Sequence, residues 1–515
     1  MQIESISAEF ANLPSPLPIW LAAVSASEWL TMATVTRAEG GRLVSLWASD
    51  RRPSGSGFVL SAAYALPAGL SIIEHSLAEG EFQFPDIASV FPAAGRMQRA
   101  VFDLLGLRAN DSADTRPWLN HGAWPAEFFP LRYDSGGESV FPEHGVADYP
   151  FVKVSGDGVH EIPVGPVHAG IIEPGHFRFS IVGEKVLRLE ERLGYKHKGI
   201  DKRFEALAPV EAVQLAGRVC GDSTVAFSWA YAMALESIAQ LTIPARAQWL
   251  RALLLERERV ANHLGDLGAL GNDAAFSFGL TNFMRLKEDW LRLNKALFGH
   301  RFMMDRVVPG GVTVDVDAAG VEKIRQQCAV VEAEVRTLQG IYEAHSGLQD
   351  RFITTGIVKP ELATELGLTG FAARASGVAF DLRNDYPQAP YDQFDFAMAT
   401  QRNGDVAARV IVRFEEIYES LRLIRAMLSA LPAGEPCHAV SADSLTGTGV
   451  GWVEGWRGEV LVALELEAGK IRRCHCHDPS WHNWPVLEHA VIGNIVPDFP
   501  LINKSFNLSY AGHDR

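Results

Sequence analysis

The chain has 515 residues, 47% hydrophobic and 21% charged, a composition typical of globular proteins and a length that favours two or more domains. Acidic side chains outnumber basic ones by 62 to 47, the net charge is −15, and no Lys/Arg-rich run occurs, so we expect no nucleic-acid partner. We recognise no transmembrane stretch and no secretory leader, and five cysteines fit a reducing compartment, so we expect a cytoplasmic protein.

Residues 1–135 are predicted to form a small α/β domain. The runs LVSLWAS and GFVLSAAYAL are typical of strands separated by Gly, Pro and Ser. The run RMQRAVFDLLGL predicts a helix with Met97, Val101, Leu104 and Leu105 on one apolar face. Residues 136–160 contain turns such as SGGE and PEHG, and we predict that they link this domain to the next.

Residues 161–515 are predicted to form a mainly α-helical bundle with flanking β-sheet, which makes the whole chain an α+β multidomain protein. The run FRFSIVGEKVLRLEERLG predicts two strands around a turn at residues 182–184. Apolar faces at helical spacing occur in QWLRALLLERERVANHL, in VEKIRQQCAVVEAEVRTLQGIY and after Asn403. A hairpin is expected near residues 467–470, and the end, IVPDFPLINKSFNLSYAGHDR, is expected to be strand-like or irregular.

A loop punctuated by Gly and Pro carries the first candidate site residues, His168, Glu173 and His176. Two histidines with a nearby acid can relay protons or hydrogen-bond a polar ligand. They can equally satisfy backbone groups of their own turn, and the spacing alone leaves both interpretations open.

Cys220 lies in GRVCGDS, just before the helix-like run STVAFSWAYAMALE. A thiol at a helix N-terminus has a lowered pKa, which favours a reactive or ligating thiol. The alternative is a small side chain at a tight helix start. Asp222 and Ser223 are candidates to cap this helix.

The run RRCHCH invites a metal assignment, but it lies in a strand pattern. The period of 2 along a strand places Cys474 and Cys476 on one face and His475 and His477 on the other, so four ligands cannot converge from this segment alone. Cys328 lies on an apolar helix seam and Cys437 has no obvious partner. No phosphate-binding motif occurs, so nucleotide binding by this chain is not expected.

Six motifs, in order along the chain, resemble one family; they are GPVHAGIIEPGHFRF, RLGYKHKGIDKRFE, GRVCGDS, IPARAQWLRALLLERERVANHLGDLG, HRFMMDRVVPGGV and PDFPLINKSFNLSYAGHDR. The family comprises the large subunits of group 4 nickel-iron hydrogenases, of the formate hydrogenlyase and hydrogenase-4 types, and the homologous 49 kDa (D) subunit of respiratory complex I. The segments ASVFPAAGRMQRAVFDLLGL and AWPAEFFPLRYD resemble the 30 kDa (C) subunit of complex I.

The resemblance implies four cysteine ligands for a nickel-iron centre, in two C-x-x-C pairs. Here Cys220 is the only one of the four that is a cysteine, because Ser223, Ser509 and Gly512 stand at the other positions. A serine hydroxyl is a hard donor and a poor replacement for a bridging thiolate. We therefore expect no metal and no cofactor bound by this chain.

The resemblance to complex I implies a quinone site. Its loop histidine, which hydrogen-bonds the quinone head, matches His176, with His168 as the second choice, and its quinone-contacting tyrosine falls on Gly221. Glu173 matches a glutamate that carries protons in the hydrogenases. Two groups of site residues follow from the resemblance. We expect catalysis to involve His176, Glu173, His168 and Asp222. We expect Cys220 and Arg178 to contact the bound molecule.

The function implied is that of a large subunit in a membrane-associated oxidoreductase. It would pass electrons from the iron–sulfur cluster of a small partner subunit, similar to the B subunit of complex I, to a quinone or another small acceptor. Antiporter-like membrane subunits would hold it on the cytoplasmic face of the inner membrane, and any NADH site would lie on other subunits. The alternatives are a redox-silent structural or coupling subunit and, less favoured, an active hydrogenase.

Overall fold

The computed structural model describes residues 6–142, 148–169 and 172–515. The strands are β1 (Ala11–Leu13), β2 (Ile19–Ala23), β3 (Arg42–Asp50), β4 (Phe58–Leu66), β5 (Gly69–Ser76), β6 (Gln83–Pro85), β7 (Arg108–Asn110), β8 (Val159–Val164), β9 (His176–Val182), β10 (Lys185–Arg192), β11 (Val307–Val308), β12 (Gly311–Val312), β13 (Gly447–Glu454), β14 (Glu459–Glu467) and β15 (Lys470–His477). The α-helices are α1 (Ala26–Ala38), α2 (Ala94–Leu105), α3 (Ile200–Arg203), α4 (Val213–Ala216), α5 (Thr224–Ala239), α6 (Ala245–Asp273), α7 (Ser277–Phe298), α8 (Ala318–Ala344), α9 (Ser346–Phe352), α10 (Pro360–Leu366), α11 (Gly370–Arg374), α12 (Leu382–Asp385), α13 (Val406–Ala430), α14 (Ser480–Ala490), α15 (Phe499–Phe506) and α16 (Tyr510–Asp514).

The N-terminal region is built on a sheet in the order β1-β2-β5-β4-β3, in which only the β2–β5 pair is parallel. The two strand-like runs of the sequence are β3 and β4, and the predicted apolar helix is α2, which packs on β3. The α/β character of this region is confirmed. The domain limits at residues 135 and 160 stay predictions, and residues 143–147 of the predicted linker lie outside the described residues.

The second region combines antiparallel sheets with packed helices, so the α+β multidomain fold is confirmed. The strands β8, β9 and β10 form one antiparallel sheet, with the predicted turn between β9 and β10, and β13, β14 and β15 form another. The predicted seams of α8 and α13 are buried and these helices pack together. No helix within the described ranges has both the length and the apolar character of a membrane span.

The start of α5 is positioned by its close packing on β13. A Cβ atom at Gly451 would lie 1.9 Å from the carbonyl oxygen of Ala230, and one at Gly449 would lie 2.0 Å from that of Ala234. Only glycine therefore permits this approach of the strand to the helix. The approach holds the turn that precedes α5, where Cys220 lies, against the loop between β13 and β14.

The helix α6 differs from the prediction of one apolar face. It is buried around nearly its whole circumference, and its buried residues include the charged side chains Arg251, Glu256, Arg257, Glu258 and Arg259. The reason is its central position, with α5, α7, α13 and α15 packed around it. Charged side chains remain buried there because they pair with one another and with backbone groups.

Another buried ion network is centred on Arg374 in α11. Its guanidinium lies 2.7 Å from Glu416, 3.0 Å from Glu454 and 3.3 Å from Asp381, and all four side chains are at most 3% exposed. The network thus ties α11, α13 and the end of β13 together across the core.

The expectation of a strand-like or irregular C-terminus is wrong, because residues 499–514 form α15 and α16. Phe499, Ile502 and Phe506 follow helical spacing and are buried. Pro500 lies in the first turn of α15, where proline is compatible with a helix, and Asn507 ends it in a left-handed conformation. The proline and the asparagine therefore mark the two ends of this helix.

The predicted alternation of β15 is confirmed. Cys474 and Cys476 are buried in the larger core, whereas His475 faces the N-terminal sheet, where it stacks on Trp47 and lies 2.8 Å from the hydroxyl of Ser45. Within the described ranges, no group of three or more His, Cys, Asp or Glu side chains is arranged to hold a metal ion.

The network around Arg374 generates a stability prediction. Arg374→Ala leaves three buried carboxylates without their shared cation, so we expect a loss of about 3–5 kcal/mol in the free energy of unfolding. Urea unfolding followed by circular dichroism measures it. The control is Arg336→Ala, which removes an exposed ion pair with Glu332 and should hardly move the midpoint. Equal effects of the two substitutions would contradict the prediction.

Candidate functional site

The thiol cluster consists of Cys220, Asp222, Ser223, Arg457 and Ser509. Cys220 lies in the turn before α5, and its sulfur is 2.8 Å from Oδ1 of Asp222 and 2.9 Å from Oγ of Ser509. Burial, aided by the negative charge of Asp222, raises the pKa of the Cys220 thiol well above its ordinary value. The expected lowering of this pKa is therefore wrong, because desolvation outweighs any favourable effect of the helix end.

Arg457, in the turn between β13 and β14, joins the parts of the thiol cluster. Its Nη2 lies 2.7 Å from Asp222 Oδ2, and its Nε donates to the carbonyl oxygen of Asn507 at 2.6 Å. Its Nη1 lies 3.8 Å from the sulfur of Cys220 and 3.4 Å from Oγ of Ser223. Burial acts to raise the pKa of Asp222, but Arg457 and the surrounding hydrogen bonds hold that pKa below its ordinary value.

Sequence reasoning missed Arg457, which lies 237 positions from Cys220. The available signal was weak: a single arginine between Trp456 and Gly458 in a strand-connecting turn. Nothing local in the sequence pairs it with the start of α5.

The N-terminus of α5 is capped by Glu258, and not by Asp222 or Ser223 as the sequence predicts. Ser223 occupies the N-cap position, but its hydroxyl donates to Asp222 Oδ1 and caps no helix N–H. The carboxylate of Glu258 in α6 accepts instead from the backbone N–H groups of Val225, at 2.7 Å, and Ala226, at 3.3 Å. Burial raises the pKa of Glu258 to about 8. The sequence predicts that Glu258 lies in a helix, but it does not show that this side chain contacts the N-terminus of a different helix.

The four positions that the resemblance assigns to nickel-iron ligands meet around the thiol cluster. They offer one thiol and two hydroxyls, because the fourth position is Gly512. The backbone N–H of Gly512 donates to Oγ of Ser509 at 2.8 Å. A Cβ atom on Gly512 would lie 2.3 Å from Oδ2 of Asp478, so that buried carboxylate fills the space that a larger side chain would need.

Glu173 lies at the edge of this cluster. Its Oε2 accepts from the backbone N–H of Ala511, two residues after Ser509, at 3.0 Å, and its Oε1 lies 3.8 Å from Nζ of Lys196. The loop that contains Glu173 is thus attached to α16, the C-terminal helix that carries two of the four ligand positions.

His168 and His176 both contact backbone carbonyl oxygens of their own loop. Nε2 of His168 lies 2.8 Å from the oxygen of Gly175, and Nδ1 of His176 lies 3.1 Å from that of Gly165. Nε2 of His176 accepts from Nε of Arg178, which requires a neutral imidazole, and burial lowers the pKa of His176 accordingly. These contacts agree with the interpretation that the two histidines hydrogen-bond backbone groups of their own turn. They leave a ligand role for His176 untested.

His176 and Arg178 line a cavity of about 510 Å³, which we call the histidine cavity. Other residues of its lining are His121, Tyr149, Phe151, Arg192 and Tyr195. The structure therefore brings Cys220 and Asp222 together, attaches Glu173 to the backbone of Ala511, and places His176 and Arg178 on the histidine cavity. Among the described residues, no hydrogen bond or ion pair joins either side chain, or His168, to the thiol cluster.

The burial of Cys220 predicts low reactivity. Because the thiolate is the reacting form, iodoacetamide at pH 8 should alkylate the less buried Cys437 at least about tenfold faster than Cys220. Peptide mass spectrometry after timed quenching measures both rates in one sample, and labelling in urea provides the control for intrinsic reactivity. Labelling of Cys220 as fast as that of Cys437 would show that the thiol is accessible and ionised.

The contact between Gly512 and Asp478 predicts a steric penalty. Gly512→Ala should lower the free energy of unfolding by about 1–3 kcal/mol, because the buried Asp478 carboxylate must move. Gly340→Ala is the matched control, since a Cβ atom there meets nothing within 4 Å and alanine favours the interior of α8. Thermal unfolding of both variants measures the change in stability. An unchanged unfolding temperature for Gly512→Ala would contradict the close contact with Asp478.

Comparison with known proteins places the chain in a family. Residues 22–139 match the family described as the 30 Kd subunit of respiratory-chain NADH dehydrogenase, and residues 273–447 match its 49 Kd subunit. A solved structure, of the membrane-bound sulfane sulfur reductase, described as an archaeal respiratory membrane complex, superposes with a TM-score of 0.66 and 25% identity. It covers 71% of this chain and 100% of that one.

Two relatives from Escherichia coli (strain K12) match most of the chain. Formate hydrogenlyase subunit 5 is 29% identical over 489 residues, which cover 93% of this chain and 85% of the relative. Hydrogenase-4 component G is 31% identical over 440 residues, which cover 84% and 76% respectively. The chain therefore belongs to the family of hydrogenase-4, formate hydrogenlyase and NADH-quinone oxidoreductase C/D subunits, with a complex I 30 kDa domain fused ahead of a 49 kDa domain.

Proposed function

We propose that the chain is the large subunit of a membrane-associated oxidoreductase related to complex I and hydrogenase-4. In this proposal it passes electrons from an iron–sulfur partner subunit to a quinone or another small acceptor, and it carries no nickel-iron centre. The observation that supports the proposal best is the direct 2.9 Å contact between the Cys220 thiol and the Ser509 hydroxyl, two positions that the resemblance assigns to metal ligands.

The donor set does not suit a nickel-iron centre. Such a centre needs several ionised thiolates, whereas this chain offers one thiol, whose pKa is raised by burial. The two serine hydroxyls are hard donors, and Asp478 fills the space beside Gly512. An active hydrogenase is therefore the least favoured alternative.

Reduction of a quinone consumes two electrons and two protons, so the site needs proton donors near the acceptor. Asp222 is a poor donor at neutral pH, because its pKa is held low and its negative charge compensates Arg457. Glu258 of α6, with a pKa of about 8, is protonated at neutral pH, and its carboxyl group contacts the start of α5. Glu173, at the edge of the thiol cluster, provides a partly exposed route to solvent.

A second candidate acceptor is a sulfane sulfur compound. It is favoured by the likeness to one chain of the structure named a sulfane sulfur reductase, which the match covers over its full length, and by the presence of one cysteine in the thiol cluster. In this case Cys220 would contact the sulfur chain, and Arg457 would stabilise the negative charge of the reduced product.

The complex proposed includes a small iron–sulfur subunit of the complex I B type and antiporter-like membrane subunits. These partners would hold the chain on the cytoplasmic face of the inner membrane, and an NADH site would lie on another subunit. The alternative from a different class is a redox-silent subunit that couples conformational change to ion translocation, in which the thiol cluster serves packing alone.

The test uses the intact complex, purified through a tag on another subunit. Elemental analysis should find no stoichiometric nickel, and the reduced complex should reduce decylubiquinone or tetrasulfide. Glu173→Gln should lower the rate about 10–100-fold, because proton transfer is slowed. Cys220→Ser should abolish tetrasulfide reduction but not quinone reduction, and Cys437→Ser is the matched control. One nickel per chain would overturn the proposal, and unchanged rates in both site variants would favour the redox-silent alternative.

A further inference from the structure

Arg192, at the end of β10, is a buried cation in the wall of the histidine cavity. It is 4% exposed, and its guanidinium donates to the backbone carbonyl oxygens of Pro117 and, at 3.2 Å, Asn120. Burial and the nearby Arg99 lower its pKa to about 10, which still leaves it charged at neutral pH. The cavity wall thus contains a permanent positive charge that is largely removed from water.

No carboxylate within the described ranges forms an ion pair with this guanidinium, in contrast to the neighbouring arginines. Arg99 pairs with Asp114, and Arg178 pairs with Glu161. Asp103 is the acid whose charge acts on Arg192, but its Oδ2 already accepts three backbone N–H groups. A buried charge without a counter-ion is unfavourable, so the site is electrostatically prepared for an anion.

Three aromatic side chains, Tyr149, Phe151 and Tyr195, share the lining with the charged residues Asp148, Lys153 and Glu161, of which Glu161 pairs with Arg178. The guanidinium of Arg192 lies 4.3 Å from the centre of the Tyr149 ring, and that of Arg178 lies 4.6 Å from the centre of the Phe151 ring. Tyr195 packs edge-on against the ring of His121 on the same cavity. Flat apolar walls beside a cation suit a molecule that has both an acidic group and a planar apolar part.

We propose that the histidine cavity binds a small organic acid, whose carboxylate pairs with Arg192 and whose planar part lies against Tyr149, Phe151 and Tyr195. A volume of about 510 Å³ accommodates such a ligand. The inference concerns binding and does not rest on the electron-transfer proposal, because Arg192 takes no part in the thiol cluster.

Isothermal titration of the intact complex with benzoate tests the proposal, with benzyl alcohol as the neutral analogue and inorganic phosphate as the anion without an apolar part. We expect benzoate to bind at least about tenfold more tightly than either. No binding of benzoate below about 10 mM, or equal affinity for benzyl alcohol or phosphate, would overturn the proposal.

Variants locate the site. Arg192→Gln should weaken benzoate at least about tenfold, and Arg192→Lys, which keeps the charge, should recover part of the affinity. Phe151→Ala should weaken benzoate more than acetate, and it tests the cavity without removing the buried cation. The control is Arg203→Gln, an exposed arginine outside the cavity. Unchanged affinity in both Arg192→Gln and Phe151→Ala, with assembly intact by size-exclusion chromatography, would refute the site.

Discussion

The buried guanidinium of Arg457 is the constraint on which the site depends. A counter-charge and acceptors for its N–H groups stabilise a buried arginine, and Arg457 finds both in Asp222 and in the carbonyl oxygen of Asn507. Three segments far apart in sequence therefore meet: the turn before α5, the turn between β13 and β14, and the residues that connect α15 to α16. The contact between Cys220 and Ser509 is a consequence of that meeting.

The C-terminal residues are held by similar means. The carboxylate of Asp514 accepts from the backbone N–H groups of Gly194 and Lys196, and Arg515 pairs with Asp201. The tail is thereby fixed beside Lys196, whose Nζ lies 3.8 Å from Oε1 of Glu173. Here hydrogen bonds and one ion pair connect the segments that the resemblance assigns to metal ligands.

Local patterns predicted the elements well where periodicity was strong. The seams of α8 and α13, the strands β3 and β4 and the alternation of β15 follow from spacing alone. The buried charges of α6 did not, because a charge pattern does not reveal partners on other helices. The last two helices were missed because they are short, and tertiary packing stabilises such helices in a way that local spacing does not show.

By itself, the sequence determined the family, the α+β fold and the residues Ser223, Ser509 and Gly512 at three of the four positions that the resemblance assigns to cysteine ligands, because these are properties of residue identity and spacing. Only the tertiary structure decided that Cys220 has a raised thiol pKa, that Glu258 caps α5, and that His176 faces a cavity away from the thiol cluster. These properties depend on burial and on partners from distant segments. Desolvation and ion pairing depend on which residues are close in space, and the spacing of residues along the chain does not predict this.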